Sequence, residues 1–236
     1  MNCETLLFER PGMVLPPGIN AVTTTRQGGV SSGAFDSLNL AEHVGDDQAS
    51  VARNRTLLRS GLNLPAEPFW LRQVHSDRIA TSGEADGSYS SRRGEVLCIQ
   101  SADCLPIVIW DNSGEEIAAL HGGWQGLALG IVGKVIGCFE SNDLSAWIGP
   151  HVNACHYEVD QKLFEKFGQY PGVFAEGRDS EHWQLNLAGV ATQQLRAMGV
   201  GEIGQSVSCT ACDQDRYFSY RRDGECGRMA TLIWKS

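Results

Sequence analysis

Runs of apolar and β-branched residues bounded by turn formers recur along this chain, with helical stretches between them, and that interleaving is what most narrows the fold. Strand-like runs read INAVTTTR, PFWLRQVH, EVLCIQS, LPIVIW, EIAAL, SAWIG, QSVSC and RMATLIW, each rich in residues that suit a half-buried pleated surface. Helical spacing appears in three segments, roughly Trp124 to Phe139, Val159 to Phe167 and Leu185 to Met198. Strands and helices mixed in this way define an α/β or α+β chain. There is no internal repeat, low-complexity tract or Pro/Gly/Ser-rich linker, so residues 1–236 are expected to form one domain whose core needs no disulfides.

The first helical segment carries Gly126, Gly130, Gly133 and Gly137. At about 100° per residue these offsets place all four on one narrow face. Each helical glycine costs roughly 0.5 to 1 kcal/mol relative to alanine, a cost that makes sense where a neighbouring backbone must come close. With only Lys134 charged among Leu127, Ile131, Val132, Val135, Ile136 and Phe139, the segment is expected to be buried on nearly all sides.

Charge narrows the partners. Against 19 Lys and Arg stand 28 Asp and Glu, a net charge of -9, which repels a phosphate backbone and argues against nucleic acid as ligand. The opening stretch MNCETLLFERPGMVL has no basic segment leading into a long apolar run, and no uninterrupted apolar window is long enough to span a bilayer. A cytoplasmic protein without membrane attachment is therefore expected, acting as monomer or homodimer. Eight cysteines in that setting read as thiols, ligands or a nucleophile instead of a disulfide framework. Neither a P-loop nor GxGxxG is present, so a bound phosphate has to rely on arginines and loop amides.

Three side chains at strand-to-loop transitions stand out: His75 in LRQVHSDRI, Cys104 in QSADCLPIVIW and His121 in LHGGWQG. Two imidazoles and a thiolate make a three-ligand set for zinc with the fourth position open. The same Cys104 and His121 also suit a nucleophile and its base, with Asp103 beside the thiol as an orienting group. Spacing alone leaves both chemistries open. Asp86 in EADGSYS is a turn residue or an acid near the site, and Arg221 and Arg222 in YFSYRRDGECGR form a fork that suits an anion or a carboxylate. Cys209-Thr-Ala-Cys212 has CxxC spacing without a second pair. His151, Cys155 and His156 lie close together after Gly149-Pro150. For the first, a redox pair stands against ordinary structural cysteines, since Asp213-Gln214-Asp215 follows where a redox motif would begin a helix; for the second, a metal stands against an ordinary polar loop.

With these residues assembled, the chain resembles the YfiH family, also called multicopper polyphenol oxidase or laccase-domain proteins and described as purine nucleoside phosphorylases. The resemblance runs through TTRQGGVSSGAFDSLNLAEHVGDD, RNR at Arg53 to Arg55, WLRQVHSDRI, ADGSYS, SADCLPIVIWD, AALHGGWQGL, WIGPHVNACHYEV and YFSYRRDGECGRMATLIW. It implies a single-domain layered sandwich of mixed β-sheets with flanking helices, similar to the cytotoxic necrotizing factor deamidases. It also implies a zinc site on His75, Cys104 and His121, with Cu2+ as the alternative ion, and glycines beside His121 that let substrate approach.

The implied chemistry is phosphorolysis of purine nucleosides and methylthioadenosine, together with deamination of adenosine. Phosphorolysis calls for cations around a bound phosphate. Arg26, Arg72, Arg221 and Arg222 are the candidates, with Asn39 and His43 from SLNLAEH as sugar or phosphate contacts and Asp86 nearby. Alternatives are amide hydrolysis by Cys104 and His121, which includes editing of peptidoglycan precursors, copper-dependent phenol oxidation, and a metal-binding protein without catalysis. One departure matters: where the family commonly carries arginine after His-Ala-Gly-Trp, this chain has Gln125. That arginine either touches phosphate or pairs with a structural carboxylate.

Overall fold

The computed structural model describes residues 6–236; residues 1–5, with Cys3 and the start of the stretch read for a targeting signal, lie outside it. Among the described residues the elements run β1 (Phe8–Glu9), β2 (Ile19–Thr24), α1 (Gln48–Leu62), β3 (Gly87–Ser90), β4 (Val96–Ser101), β5 (Leu105–Asp111), β6 (Ile117–Gly122), α2 (Trp124–Leu129) and α3 (Ile131–Ile136). They continue with β7 (Leu144–Ile148), β8 (Glu158–Asp160), α4 (Gln161–Phe167), β9 (Phe174–Glu176), β10 (His182–Leu185), α5 (Leu187–Ala197), β11 (Glu202–Gln205), α6 (Tyr220–Asp223) and β12 (Met229–Lys235).

Two sheets lie face to face. One has the order β11-β7-β5-β6-β3 and the other β1-β2-β12-β4; a small third sheet has the order β8-β10-β9. Side chains alternate along β5, so Val108 and Trp110 turn inward to meet Leu97, Ile99, Trp147 and Ile233 between the sheets, while Leu105, Ile107 and Ile109 turn outward onto Ile131, Val135, Val190 and Leu195 of α3 and α5. The outer face of the second sheet is covered by Leu58 of α1, packed with Val22, Cys98 and Leu232. The layers are therefore helix, sheet, sheet, helix. Every residue of β4, β5 and β6 is buried, which is why those strands read as near-continuous apolar runs. Replacing the fully buried Trp110 by alanine would cost about 3–5 kcal/mol.

Several elements differ from the sequence-based expectation. The helix expected over Trp124 to Phe139 is two short helices broken at Gly130, where φ is 85°. The break ends the common phase of the four glycines. A Cβ on Gly126 would lie 3.1 Å from the Ser76 carbonyl, whereas Gly133 faces only the Met198 side chain and Gly137 only carbonyls of its own helix. The run PFWLRQVH is not a strand: Phe69 and Arg72 make isolated bridges, and the Gln73 side chain instead exchanges hydrogen bonds of 2.8 and 2.7 Å with the Gln100 backbone. QSVSC leaves the sheet after Gln205, where β11 ends, and Val207 is 93% exposed. The second helix begins at Gln161, after the short strand β8, with Asp160 as its cap. Helix α1 had no counterpart in the sequence reading.

Register brings the site together. Antiparallel pairing of Leu105 with Gly122 sets Cys104 beside the end of β6, and pairing of Gly87 with Leu120 sets Asp86 beside His121.

Candidate metal centre

His75, Cys104 and His121 converge, with one ligand atom from each inside a group no more than 4.8 Å across. Cys104 Sγ lies 3.9 Å from His75 Nε2, and the two imidazoles meet edge to face with centroids 4.7 Å apart. An ideal tetrahedral zinc bound by sulfur at about 2.3 Å and nitrogen at about 2.05 Å separates those two atoms by about 3.5 Å. The observed gap is a few tenths of an ångström wider, within the reach of a small side-chain rotation.

Backbone strain and glycine packing shape the centre. His75 has φ of 58° and Asp103 of 97°, conformations that non-glycine residues adopt mainly where surrounding structure imposes them. A Cβ on Gly123 would lie 3.0 Å from the His75 ring, 3.3 Å from Cys104 Sγ and 3.6 Å from the His121 ring. That glycine accommodates the three ligands themselves. Gly122 in turn fits against Leu105 and Ile107 of the sheet, so close packing within the protein accounts for both positions expected to admit substrate.

Asp86, fully buried, organises the group. His121 Nδ1 lies 2.9 Å from Asp86 Oδ1. The same carboxylate accepts the amides of Val74, His75 and Ser76 at 3.2, 3.0 and 2.6 Å and the Ser76 hydroxyl at 2.8 Å. With Nδ1–H directed at Asp86, Nε2 of His121 is left to donate its lone pair. Burial opposes ionisation of Asp86, yet the bonds from His121 and Ser76 hold its carboxyl well below the usual range. Burial likewise would raise the Cys104 thiol, but His121 and His75 outweigh it and bring the pKa down to about 6. For His121, burial disfavours the charged ring, while the Cys104 thiolate and Asp86 lift the pKa to about 9. Without an ion the pair is therefore thiolate and imidazolium at neutral pH.

All three ligand residues line a cavity of about 550 Å³, which His43, Asp103 and Arg221 also line. Asp103 does not orient His121. Its carboxylate accepts the Thr210 hydroxyl and the Arg221 amide, both at 2.6 Å, and Asp86 takes the position behind the imidazole. Asn39 is fully buried and spends its side chain on Ala41, Asp46 and the Arg228 amide. Three of the proposed arginines lie elsewhere. Arg26 and Arg222 line a separate cleft, Arg26 bonded to the Asp36 carbonyl and Arg222 paired with Asp223 at 2.6 Å. Arg72 is exposed and pairs with Glu84 at 3.2 Å.

Sequence reasoning missed Arg228, Tyr157, Trp124 and Tyr220, which complete the cavity wall. All four belong to motifs already quoted, but only the fold shows which side chains face inward. Gln125 is exposed in the first turn of α2 and is not among the cavity residues.

One cysteine and two imidazoles lining a cavity, with a buried carboxylate behind one ring, form a candidate cysteine–histidine metal site on a layered α/β sandwich. The chain belongs to the family described as multi-copper polyphenol oxidoreductase laccase, which matches residues 20–236. It is 38% identical over 241 residues to the purine nucleoside phosphorylase of Haemophilus influenzae, covering 95% of this chain and 97% of that one. To the purine nucleoside phosphorylase YfiH of Escherichia coli it is 39% identical over 231 residues, covering 93% and 95%. The crystal structure of Neisseria meningitidis protein NMB0706 superposes with a TM-score of 0.92 at 34% identity, covering 99% of this chain and all of that one. YlmD from Geobacillus stearothermophilus superposes with a TM-score of 0.90 at 31% identity, covering 97% and 96%. The family resemblance and the fold class read from the sequence both hold, and relatives so named support an enzyme acting on small molecules. No helix among the described residues is long and apolar enough to cross a membrane.

Proposed function

We propose that this chain is a zinc-dependent purine nucleoside phosphorylase that also cleaves methylthioadenosine and deaminates adenosine. One observation carries the reading: a single cavity holds an open three-ligand site together with Arg221 and Arg228, two guanidiniums that make no ion pair with a carboxylate among the described residues. Arg221 lies over the Tyr157 ring at 5.2 Å and Arg228 over Tyr220 at 5.9 Å. Such cations suit a phosphate dianion, which they can grip by charge-assisted hydrogen bonds.

In phosphorolysis a phosphate oxygen bonds to C1′ of the ribose as the C1′–N9 bond breaks, and the electron pair leaves with the base, which then takes up a proton. Arg221 and Arg228 would hold the phosphate and balance its charge. Trp124 and Tyr157, both on the cavity wall, offer flat apolar faces to the purine. His75, Cys104 and His121 would hold the ion, and Asp86 keeps His121 in the tautomer that ligation needs. When bound, zinc would supply Lewis acidity to a group held in the cavity. The donor set also accepts copper, though two imidazoles and one thiolate are too few for a cluster of several coppers.

The test is a product assay on protein purified without chelator. Inosine and methylthioadenosine should release free base and a sugar phosphate only when phosphate is present, and adenosine should also yield inosine and ammonia. Absence of every one of these products at all zinc loadings would overturn the reading. The Cys104 and His121 ion pair favours a second reading, amide hydrolysis with Cys104 as nucleophile. That version requires activity in metal-free protein and its loss on alkylation of Cys104; activity that appears only with zinc eliminates it.

A further inference from the structure

Away from the cavity, Cys155 and His156 meet Cys209 and Cys212, residues more than fifty positions apart in the chain. Cys155 Sγ lies 3.8 Å from Cys209 Sγ and 3.7 Å from Cys212 Sγ. His156 Nδ1 lies 3.2, 3.9 and 3.4 Å from the sulfurs of Cys155, Cys209 and Cys212, and the remaining pair is within 4.8 Å. A regular tetrahedron around zinc, with sulfur at about 2.3 Å and nitrogen at about 2.05 Å, has sulfur–sulfur edges of about 3.8 Å and sulfur–nitrogen edges of about 3.5 Å. The two measured sulfur edges fall on that value, and the three nitrogen edges average to it. These distances also exceed the roughly 2.05 Å of a disulfide by far.

We propose that Cys155, His156, Cys209 and Cys212 form a second, structural zinc site. Three thiolates and one imidazole in tetrahedral array are a donor set that selects zinc, and four protein ligands leave no position for substrate. The local backbone is arranged accordingly. The Cys209 carbonyl accepts the amides of Cys212 and Asp213 at 3.1 and 3.0 Å, which closes the turn that brings both cysteines to one side. The Asn153 amide donates to Cys209 Sγ at 3.4 Å, the kind of bond that stabilises a coordinated thiolate.

The ion fastens two walls of the cavity to each other. Thr210, inside the turn, donates to Asp103, and Asp103 in turn accepts the Arg221 amide. Tyr157, next to His156, lies under the Arg221 guanidinium. The two centres share no ligand, so each can be removed separately.

The decisive measurement is the metal content of the full-length Cys104→Ala variant, purified without chelator. One zinc per chain should remain, and cobalt substitution should give the intense sulfur-to-metal charge-transfer absorption of a three-thiolate tetrahedral site. Adding Cys155→Ser and Cys212→Ser should remove that ion. A metal-free Cys104→Ala protein, or residual metal insensitive to the two serines, overturns the proposal. Should the triple variant not fold, thiol alkylation of the unmodified chain decides. Exposed Cys155 and Cys212 should resist the reagent when zinc is bound and react after chelation. Equal reactivity in both states, or a disulfide joining them in freshly purified protein, overturns it too.

Discussion

The three-ligand centre and the four-ligand cluster use the same donors and differ in what surrounds them. At the first, His75 and the neighbouring Asp103 have positive φ, His121 is 4% exposed, and a fully buried carboxylate stands behind the imidazole. At the second, Cys155, His156 and Cys212 are exposed, no ligand residue has positive φ, and peptide amides support the sulfur. Strain, a buried charge and an open position are features a reactive centre needs and a fastening does without.

The largest expected effect separates the two most directly. Cys104→Ala should abolish nucleoside cleavage while leaving the melting temperature near that of the parent, whereas Cys212→Ser should lower the melting temperature and keep most of the turnover. Equal loss of activity in both, measured with inosine and phosphate, would erase the contrast. Next in size is Asp86→Asn. Without the carboxylate behind His121, zinc affinity at the open centre should fall about 10- to 100-fold, read by competition with a chromophoric chelator. Proton counting sharpens the same point. With Cys104 near 6 and His121 near 9 in the ion-free protein, zinc entry between those pH values meets a ready thiolate and must expel the proton on His121. About one proton per ion should leave this pair there, and two below pH 6. Calorimetry in buffers of different ionisation enthalpy measures this.

How much of this could be read from residues alone varies with how local the cause is. Strands β4, β5, β6 and β12 announce themselves because sheet packing buries both their faces. Helix α1 does not, because its buried positions are Val51, Asn54 and Leu58, and Asn54 spends its amide on Ser31, Ser37 and Asn39 where a periodic apolar residue would have been visible. The break at Gly130 was hidden for the opposite reason: its glycine fits both a packed helix and a left-handed kink. His75, Cys104 and His121 could be nominated from their strand-end positions, yet which carboxylate stands behind His121 depends on the β3–β6 register, so the adjacent Asp103 was the nearer guess. Cys155 and His156 could be connected with Cys209 and Cys212 only through the bridge between His151 and Cys209.

Arginine substitutions test the cavity against the surface at smaller scale. A hydrogen bond to a charged group is worth about 1.5–3 kcal/mol, so Arg221→Ala should raise KM for phosphate about 10- to 100-fold. Deamination of adenosine, which uses no phosphate, should hardly change. Arg222→Ala should behave differently, costing stability through the lost Asp223 pair and the lost bonds to the Thr210 and Tyr217 carbonyls.

The smallest effect is expected at Gln125, and it bears on the departure from the family pattern. The residue is exposed and outside the cavity wall, so a cation there is expected to act on the surface and not on a phosphate beside Arg221 and Arg228. Gln125→Arg should shift stability by no more than about 0.5 kcal/mol, as for most surface substitutions, and leave KM for phosphate unchanged. A clear fall in that KM would mean that the first turn of α2 reaches the anion. The phosphate would then sit nearer Trp124 than Arg228, and the division between cavity cations and surface cations drawn from the geometry would have to be redrawn.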